Sequence, residues 1–345
     1  MKISICIPQY NRIAFLLKNL EWIAKQNYSD IEVVISDDCS KDNTDIEIRK
    51  LIPTYKYPII YKRNEKNLGY DGNLRQSMEL ATGDYCFILG NDDTLNEPND
   101  IQFLVDFLKE NNYPEVGFCN YTPFANPQAV MKRAAQTSVL VGNVDYALKY
   151  YSCFIFVAGL IYKKSTFMKY NTSKHDKSIF VQVYLAVTMI ADGNRLFMLE
   201  QPMVLQDIEV DDGFRNSYKD TLLRKWSDMK IDDRGIFSVM NVVIDGVQNI
   251  NPSAVNKAAY SVLWRMYTLT IPYWIIDYKQ HDAFVTSVSV WWSTLAYRNP
   301  HLKHLNFFQK IIIALVNLTN SLAAFVFPAS ILFKLKTVLY AWLKK

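Results

Sequence analysis

The chain opens with short apolar runs that alternate with stretches in which apolar positions recur every three or four residues. Short runs are typical of buried strands, and the recurring spacing is typical of amphipathic helices. The alternation predicts a mostly parallel sheet flanked by helices, a Rossmann-like α/β arrangement. The strands are expected at residues 3–8, 31–36, 58–62, 85–89 and 116–119, and the helices at 13–25, 73–81 and 101–110.

The pattern is weaker beyond residue 120 and becomes helical and aromatic beyond residue 220. We expect a loop and a helix over 120–150, a strand over 154–162, a helix over 179–191, and one or two strands over 195–206. The predicted division is an α/β domain at 1–215, a helical extension packed on it at 216–300, and basic apolar helices at 301–345. Five large aromatic residues of the extension have the spacing of core positions: Trp264, Tyr267, Trp274, Trp291 and Trp292.

Composition excludes several classes of protein. Half of the 345 residues are hydrophobic and 21% are charged, so the chain is neither disordered nor fibrous. A net charge of +4 is too small to predict a nucleic-acid partner. The five cysteines form no metal-ligand spacing, and residues 1–8 are too short an apolar run for a signal peptide. We therefore predict a cytoplasmic protein.

The C-terminal segment differs from the rest of the chain in charge and hydropathy. Seven basic and no acidic residues follow Asp282, and residues 311–333 contain no charge. Such a length could span a hydrocarbon core of about 30 Å. Asn317 and Asn320 lie near its middle and Pro328 interrupts it, which favours helices lying in an anionic membrane interface. A spanning segment and ordinary core helices remain alternatives.

Acidic residues follow two of the predicted strands. Asp37 and Asp38 come after the second strand, and Asp92 and Asp93 come after the fourth. Paired carboxylates at the carboxyl edge of a sheet suit Mg²⁺ or Mn²⁺, with phosphate oxygens completing the coordination shell. Each pair could instead be a polar turn or a helix cap, as could Asn67 with the glycine that follows it.

Four segments together resemble family 2 glycosyltransferases of the GT-A fold: residues 4–12, 34–44, 63–69 and 83–93. The resemblance is dense over the first 120 residues and fades towards residue 210. It implies transfer of a sugar from a nucleotide-diphosphate sugar, usually with inversion and a divalent cation. By the same resemblance Asp92, with Asp93, would bind the cation. The residues that would contact the nucleotide are Pro8, Tyr10, Asn11, Asp37, Asp38, Asn67, Gly69 and Asn91.

The sequence departs from the family pattern at two places. The family commonly has Asp-x-Asp at the metal site, but the first Asp position is Gly90 here. Many members also carry a Glu-Asp pair that supplies the general base, and its place near residues 181–182 has no carboxylate. We expect Asp176, or else His175, to act as the base. Arg215, after Asp211 and Asp212, would contact the donor phosphates.

The sequence thus favours an inverting glycosyltransferase on the inner face of the cell membrane, with a lipid-linked saccharide acceptor in surface polysaccharide synthesis. Two alternatives remain open. A sugar nucleotidyltransferase would need a Gly-rich loop after the first strand, and residues 8–12 contain no glycine. A non-catalytic nucleotide-sugar-binding membrane scaffold would account for the missing Glu-Asp pair and for Gly90.

Overall fold

The computed structural model describes residues 1–210, 233–281 and 283–327. The chain divides into two compact units, residues 1–216 and 217–345. The described strands of the first unit are β1 (Ile3–Gln9), β2 (Ile31–Asp37), β3 (Ile59–Arg63), β4 (Tyr85–Ile88), β5 (Thr94–Leu95), β6 (Val116–Pro123), β7 (Ser138–Leu140), β8 (Leu160–Lys163) and β9 (Leu196–Gln206). Its helices are α1 (Ile13–Ile23), α2 (Thr44–Leu51), α3 (Gly69–Leu80), α4 (Asp100–Glu110), α5 (Val144–Tyr150), α6 (Lys164–Tyr170) and α7 (Val181–Ala191).

These nine strands form one sheet in the order β3-β2-β1-β4-β8-β6-β9-β5, and β7 also pairs with β9. The first four strands pair in parallel, as the sequence predicted. The other half of the sheet is mixed, because β8 runs antiparallel between β4 and β6. The parallel half therefore brings the ends of β1, β2 and β4 to one edge.

Alternation along β1 explains why the helices cover the sheet. Ile3, Ile5 and Ile7 are fully buried and belong to a core cluster with the apolar stripes of α1 and α4. Successive strand residues point to opposite faces, so Ser4 and Cys6 face the other side. There α3 packs on β1 and β2.

Two predicted boundaries were wrong because long-range hydrogen bonds set them. The helix expected from residue 73 begins at Gly69, where the Asp38 carboxylate accepts the N–H groups of Leu68 and Gly69. The strand expected over 154–162 is a 3-10 turn followed by β8. The carbonyls of Phe156 and Ala158 lie in the intervening loop. They accept hydrogen bonds from the Arg133 guanidinium, so these groups join no strand.

The described helices of the second unit are α8 (Asp233–Ile250), α9 (Val255–Arg265), α10 (Ile271–Gln280), α11 (Phe284–Ser293) and α12 (Phe307–Val326). The expected core role of the aromatic residues holds for Tyr267, which is fully buried. Trp264 and Trp292 are 39% and 53% exposed, so they are surface residues of this unit.

Helix α12 turns the polar side chains of Asn317, Asn320 and Ser321 towards the rest of the second unit. Asn317 and Ser321 are buried, and the Asn317 Oδ1 atom accepts the N–H of Ala296. Asn320 donates to the carbonyl of Tyr267. The outward face is apolar and exposed; it carries Phe308, Ile311, Ile312, Leu315, Leu318, Leu322 and Val326. Among the described helices, α12 is the one long and apolar enough to cross a membrane.

Candidate active site

The loops after β1 and β2 are joined by hydrogen bonds at the edge of the sheet. Asn11 accepts the N–H of Lys41 on its side-chain oxygen, and its own N–H donates to the Ser40 hydroxyl. The Asp38 N–H donates to the carbonyl of Gln9. Residues 11–14 and 41–43 line a cavity of about 550 Å³ beside these loops. The two predicted nucleotide-binding loops therefore form one wall.

Asp38 fixes the third predicted nucleotide-binding segment. Its carboxylate accepts the N–H of Leu68 at 2.6 Å and that of Gly69 at 3.0 Å, and the side-chain amide of Asn64 at 3.3 Å. Gly69 has φ +78°, a left-handed conformation that a side chain would disfavour. Asp38 is 3% exposed, and its carboxylate oxygens fix the position of the loop before α3 through these hydrogen bonds.

The turn and cap alternatives apply to two of the neighbouring residues. Asp37 is fully buried and accepts the Ser40 N–H and the Tyr61 hydroxyl. The Asn67 side chain accepts the N–H of Gly69, two residues further along the chain. Both contacts stabilise the loops locally. Tyr10 is 41% exposed at the same edge.

Asp92 lies at the same edge as Asp38, because its neighbour Asn91 and Asp38 both bond to Gln9. The Gln9 side-chain oxygen accepts the Asn91 amide, while the Gln9 carbonyl accepts the N–H of Asp38. The Arg12 guanidinium donates to Asp92 Oδ2 at 2.9 Å and to Asn91 Oδ1 at 3.3 Å. The structure therefore places the two key carboxylates on one hydrogen-bonded edge, as their positions after parallel strands predicted.

Asp93 lies deeper than Asp92 and does not cap the following helix. Burial and the nearby charge of Asp92 raise the pKa of the Asp93 carboxyl well above its usual range. Its Oδ1 atom accepts the N–H of Asp207. That helix, α4, has Asn99 at its N-cap position without a side-chain cap, and its first residue, Asp100, accepts the N–H groups of the preceding Asn96 and Glu97. Asp92, which is 15% exposed, is the carboxylate better placed to meet a ligand.

Asp92 and Asp93 can supply only part of the coordination shell of a divalent cation. The described ranges contain no group of three or more His, Cys, Asp or Glu side chains that could hold a metal. Asp92 and Asp93 supply adjacent oxygens of the kind that Mg²⁺ and Mn²⁺ prefer. A shell completed by phosphate oxygens and water suits such a site, because Mg²⁺ usually binds proteins through one or two carboxylates.

Gly90 leaves the space that the Asp93 carboxylate uses. A Cβ atom at Gly90 would come within 2.6 Å of Asp93 Oδ2 and 3.2 Å of Asp92 Oδ1. Asp93 is held by the Asp207 N–H and is buried, so it has little room to move. A side chain at position 90 is therefore incompatible with the observed place of Asp93, which accounts for the departure from Asp-x-Asp.

We expect Gly90→Ala to destabilise the fold by about 1 kcal/mol through overpacking. Urea unfolding monitored by circular dichroism measures this cost. The double variant Gly90→Ala/Asp93→Ala lacks the clashing carboxylate, so its cost should be smaller than the sum of the single costs. Additive costs would contradict the proposed clash.

The loop that carries His175 and Asp176 is attached to α3. Both oxygens of the Asp176 carboxylate accept from the Arg75 guanidinium, at 2.9 and 2.7 Å. The His175 ring lies 4.2 Å from the ring of Tyr184 in α7. In this arrangement Asp176 holds the loop in place through both of its carboxylate oxygens. Its predicted role as the base stays a prediction, and Arg75 is a partner that the sequence did not indicate.

The N-terminus of α7 receives a carboxylate from another helix. The family's Glu-Asp pair would lie near residues 181–182, and α7 begins at Val181. Asp71 of α3 accepts the N–H groups of Ile179 and Val181 there. Burial raises the pKa of Asp71, which those hydrogen bonds oppose. Gln182 is buried, and its Oε1 atom has no hydrogen-bond partner.

Sequence reasoning missed Gln9, Arg12 and Asp71 as parts of this edge. Gln9 is a polar residue at the buried end of a strand, which is a usable signal. Arg12 and Asp71 are common surface types whose partners are distant in the chain. Asp211, Asp212 and Arg215 lie outside the described residues.

Comparison with known proteins gives a consistent picture. The family model described as "Glycosyl transferase family 2" matches residues 4–165. The chain is 35% identical over 225 residues to the abequosyltransferase RfbV of Salmonella typhimurium, covering 59% of this chain and 66% of that protein. It is 29% identical over 94 residues to the GalNAc(5)-diNAcBac-PP-undecaprenol beta-1,3-glucosyltransferase of Campylobacter jejuni, covering 27% of this chain and 30% of that protein.

A solved structure shares the fold. The crystal structure of S. aureus TarS 1–349 in complex with UDP superposes with a TM-score of 0.61 and 16% identity. The superposition covers 94% of this chain and 91% of that chain. The predicted GT-A fold is thereby confirmed.

Proposed function

We propose, because the chain belongs to glycosyltransferase family 2 through residues 4–165, that it transfers a sugar from a nucleotide-diphosphate sugar to a saccharide acceptor. The observation that carries this proposal is the polar edge on which Gln9 bonds to both Asp38 and Asn91, the neighbour of Asp92. A nucleotide bound along this edge would have its base near Asp38 and its diphosphate near Asp92. The structure of S. aureus TarS 1–349 in complex with UDP, which has the same fold, supports a nucleoside diphosphate as the ligand.

The residues of this edge account for how such a reaction would be assisted. Asp92, with Asp93 behind it, would hold a divalent cation, which neutralises charge that develops on the departing nucleoside diphosphate. Asn11, together with the loop that Asp38 fixes, would orient the nucleoside. Transfer with inversion further needs a base within hydrogen-bond reach of the acceptor hydroxyl. His175 and Asp176 remain the proposed candidates for that base.

Incubation with nucleotide sugars tests the activity directly. UDP-, CDP- and dTDP-sugars would be supplied with Mn²⁺ or Mg²⁺ and a bacterial lipid extract, and release of nucleoside diphosphate would be followed. We expect release that depends on the lipid extract. Pyrophosphate release from a nucleoside triphosphate would instead indicate a nucleotidyltransferase. Binding of a nucleotide sugar without turnover would indicate a non-catalytic binding protein.

We propose a lipid-linked saccharide as the acceptor and the cytoplasmic membrane face as the place of reaction. The Campylobacter relative is named for a saccharide on PP-undecaprenol. The outward face of α12 is apolar, while Asn317 and Asn320, which argued against a membrane-spanning segment, bond within the second unit. Lys303 and Lys310 lie near the start of α12, where lysines can reach anionic headgroups.

We expect α12 to bind vesicles containing anionic lipid through this outward face. The double variant Leu315→Gln/Leu322→Gln, which alters two half-exposed side chains, should lower the vesicle-bound fraction about tenfold, since each loses apolar area available to the membrane. Co-sedimentation with phosphatidylglycerol vesicles measures this fraction. Ile46→Gln on the exposed face of α2 is the matched control and should bind as the parent does. Equal binding of all variants would contradict the proposal.

A further inference from the structure

The guanidinium of Arg12 bonds to Asp92, the carboxylate proposed to hold the cation. It donates to Asp92 Oδ2 at 2.9 Å and to Asn91 Oδ1 at 3.3 Å, and it lies over the Phe15 ring at 4.7 Å from the ring centre. Arg12 and Asp92 are 22% and 15% exposed, so this ion pair is largely shielded from water. The carboxylate expected to hold a cation is therefore already paired with the positive charge of Arg12.

The backbone keeps Arg12 at this place. Asn11 and Arg12 both have left-handed φ angles, 51° and 62°, which are costly for residues with a side chain. The Ser40 hydroxyl accepts the Asn11 N–H, and the Asp42 carboxylate accepts the Ile13 N–H. Since this turn is fixed from both sides, Arg12 can change partner only by rotating its side chain.

A divalent cation on Asp92 would compete with Arg12 for the same oxygen. The guanidinium and the cation are both positive, so they repel each other when both lie against one carboxylate, and the double charge of the cation strengthens the repulsion. A bound diphosphate offers the guanidinium another partner, because arginine forms paired hydrogen bonds with phosphate oxygens. Moving to the diphosphate would remove the repulsion and add an attraction.

We propose that Arg12 is a positioning residue that exchanges Asp92 for the diphosphate of the donor and so couples cation binding to donor binding. This inference rests on the proposed function, because it requires a diphosphate ligand at this edge. Without diphosphate, Arg12 protects Asp92 from stray cations. With diphosphate, Arg12 releases Asp92 and binds the phosphate oxygens, and the two ligands bind cooperatively.

Titrations with Mn²⁺ and inorganic pyrophosphate test the coupling without any turnover. Calorimetry would measure the Mn²⁺ Kd with and without pyrophosphate for the parent, Arg12→Gln and Arg12→Lys. We expect Arg12→Gln to tighten Mn²⁺ binding about fivefold in the absence of pyrophosphate. The enhancement of Mn²⁺ binding by pyrophosphate should fall at least tenfold. Arg12→Lys keeps the charge without the fork of donors and should lie between the two.

Lys18→Gln is the matched control, because it removes the same charge from the exposed surface of α1, where Lys18 pairs with Glu21. It should leave both the Mn²⁺ Kd and the coupling as in the parent. An unchanged Mn²⁺ Kd in Arg12→Gln, or an equal change in Lys18→Gln, would overturn the proposal. If Arg12→Gln fails to fold, Arg12→Lys tests the proposal instead. Its coupling between Mn²⁺ and pyrophosphate should then be weaker than that of the parent. These outcomes are separate from the proposed function, which fails when no nucleotide sugar releases its diphosphate.

Discussion

Replacing Asp92 by Asn is expected to lower kcat about 10³-fold while the protein stays folded. The amide keeps the size of the side chain but cannot supply an anionic oxygen to a divalent cation. Electrostatic stabilisation of a leaving group in a shielded site is a large part of catalysis, and removing one such contact costs about 10²–10³ in kcat. The lower kcat should appear as slower release of nucleoside diphosphate from the donor, measured at saturating substrate.

The matched control is Asp45→Asn, which changes an exposed carboxylate paired with Arg49 on the surface of α2. Its kcat should equal that of the parent. Near-ultraviolet circular dichroism checks that Asp92→Asn keeps its tertiary structure, since Arg12 loses its charged partner. Parent-like turnover by a folded Asp92→Asn would refute the assigned role of Asp92.

The parallel half of the fold was predictable because its signals are local. Buried strands such as β1 and β2 are continuous apolar runs, and the residues that follow them are polar. Parallel pairing then forces those polar residues to one edge. The positions of Asp38 and Asp92 on that edge follow from this rule alone.

The contacts of the candidate site were not predictable, because they join residues far apart in sequence. Arg75 and Asp176 are 101 positions apart, and Arg12 and Asp92 are 80 apart. No periodicity encodes such a pair, and charged residues are mostly exposed. The sequence therefore indicated a carboxylate for the base but not the guanidinium that holds it.

The polar residues of α12 have a role in packing that their positions along the sequence do not show. Counted along the sequence, Asn317 and Asn320 weaken a membrane segment. Seen on the helix, Asn317 and Ser321 are four residues apart and share one face, which is buried on the second unit. The face towards solvent keeps its apolar residues, so polar content in the sequence and polarity of the exposed surface differ.

At the opposite edge of the sheet from the site, Glu32 joins the starts of β1 and β2 to the turn before β4. Its carboxylate accepts the Ser4 hydroxyl and the N–H and hydroxyl of Thr82, and it pairs with Lys2. Burial alone would raise the pKa of Glu32, but these contacts lower it from 4.5 to about 2. The ionised form is thus preferred in the folded state, and this carboxylate stabilises the fold at neutral pH.

We expect Glu32→Gln to lose about 2 kcal/mol of unfolding free energy at pH 7, after allowing for solvent around the partly exposed Lys2. Because the folded pKa is the lower one, this contribution is present above about pH 4.5 and is lost as pH falls towards 2. Urea unfolding at pH 7 and pH 3 should therefore show a smaller difference between parent and variant at pH 3. Glu21→Gln, on the exposed surface of α1, is the control and should match the parent. A difference in unfolding free energy that does not change with pH would contradict the ionised role of Glu32. The pyrophosphate affinity of Glu32→Gln should equal that of the parent, because Glu32 lies away from the site.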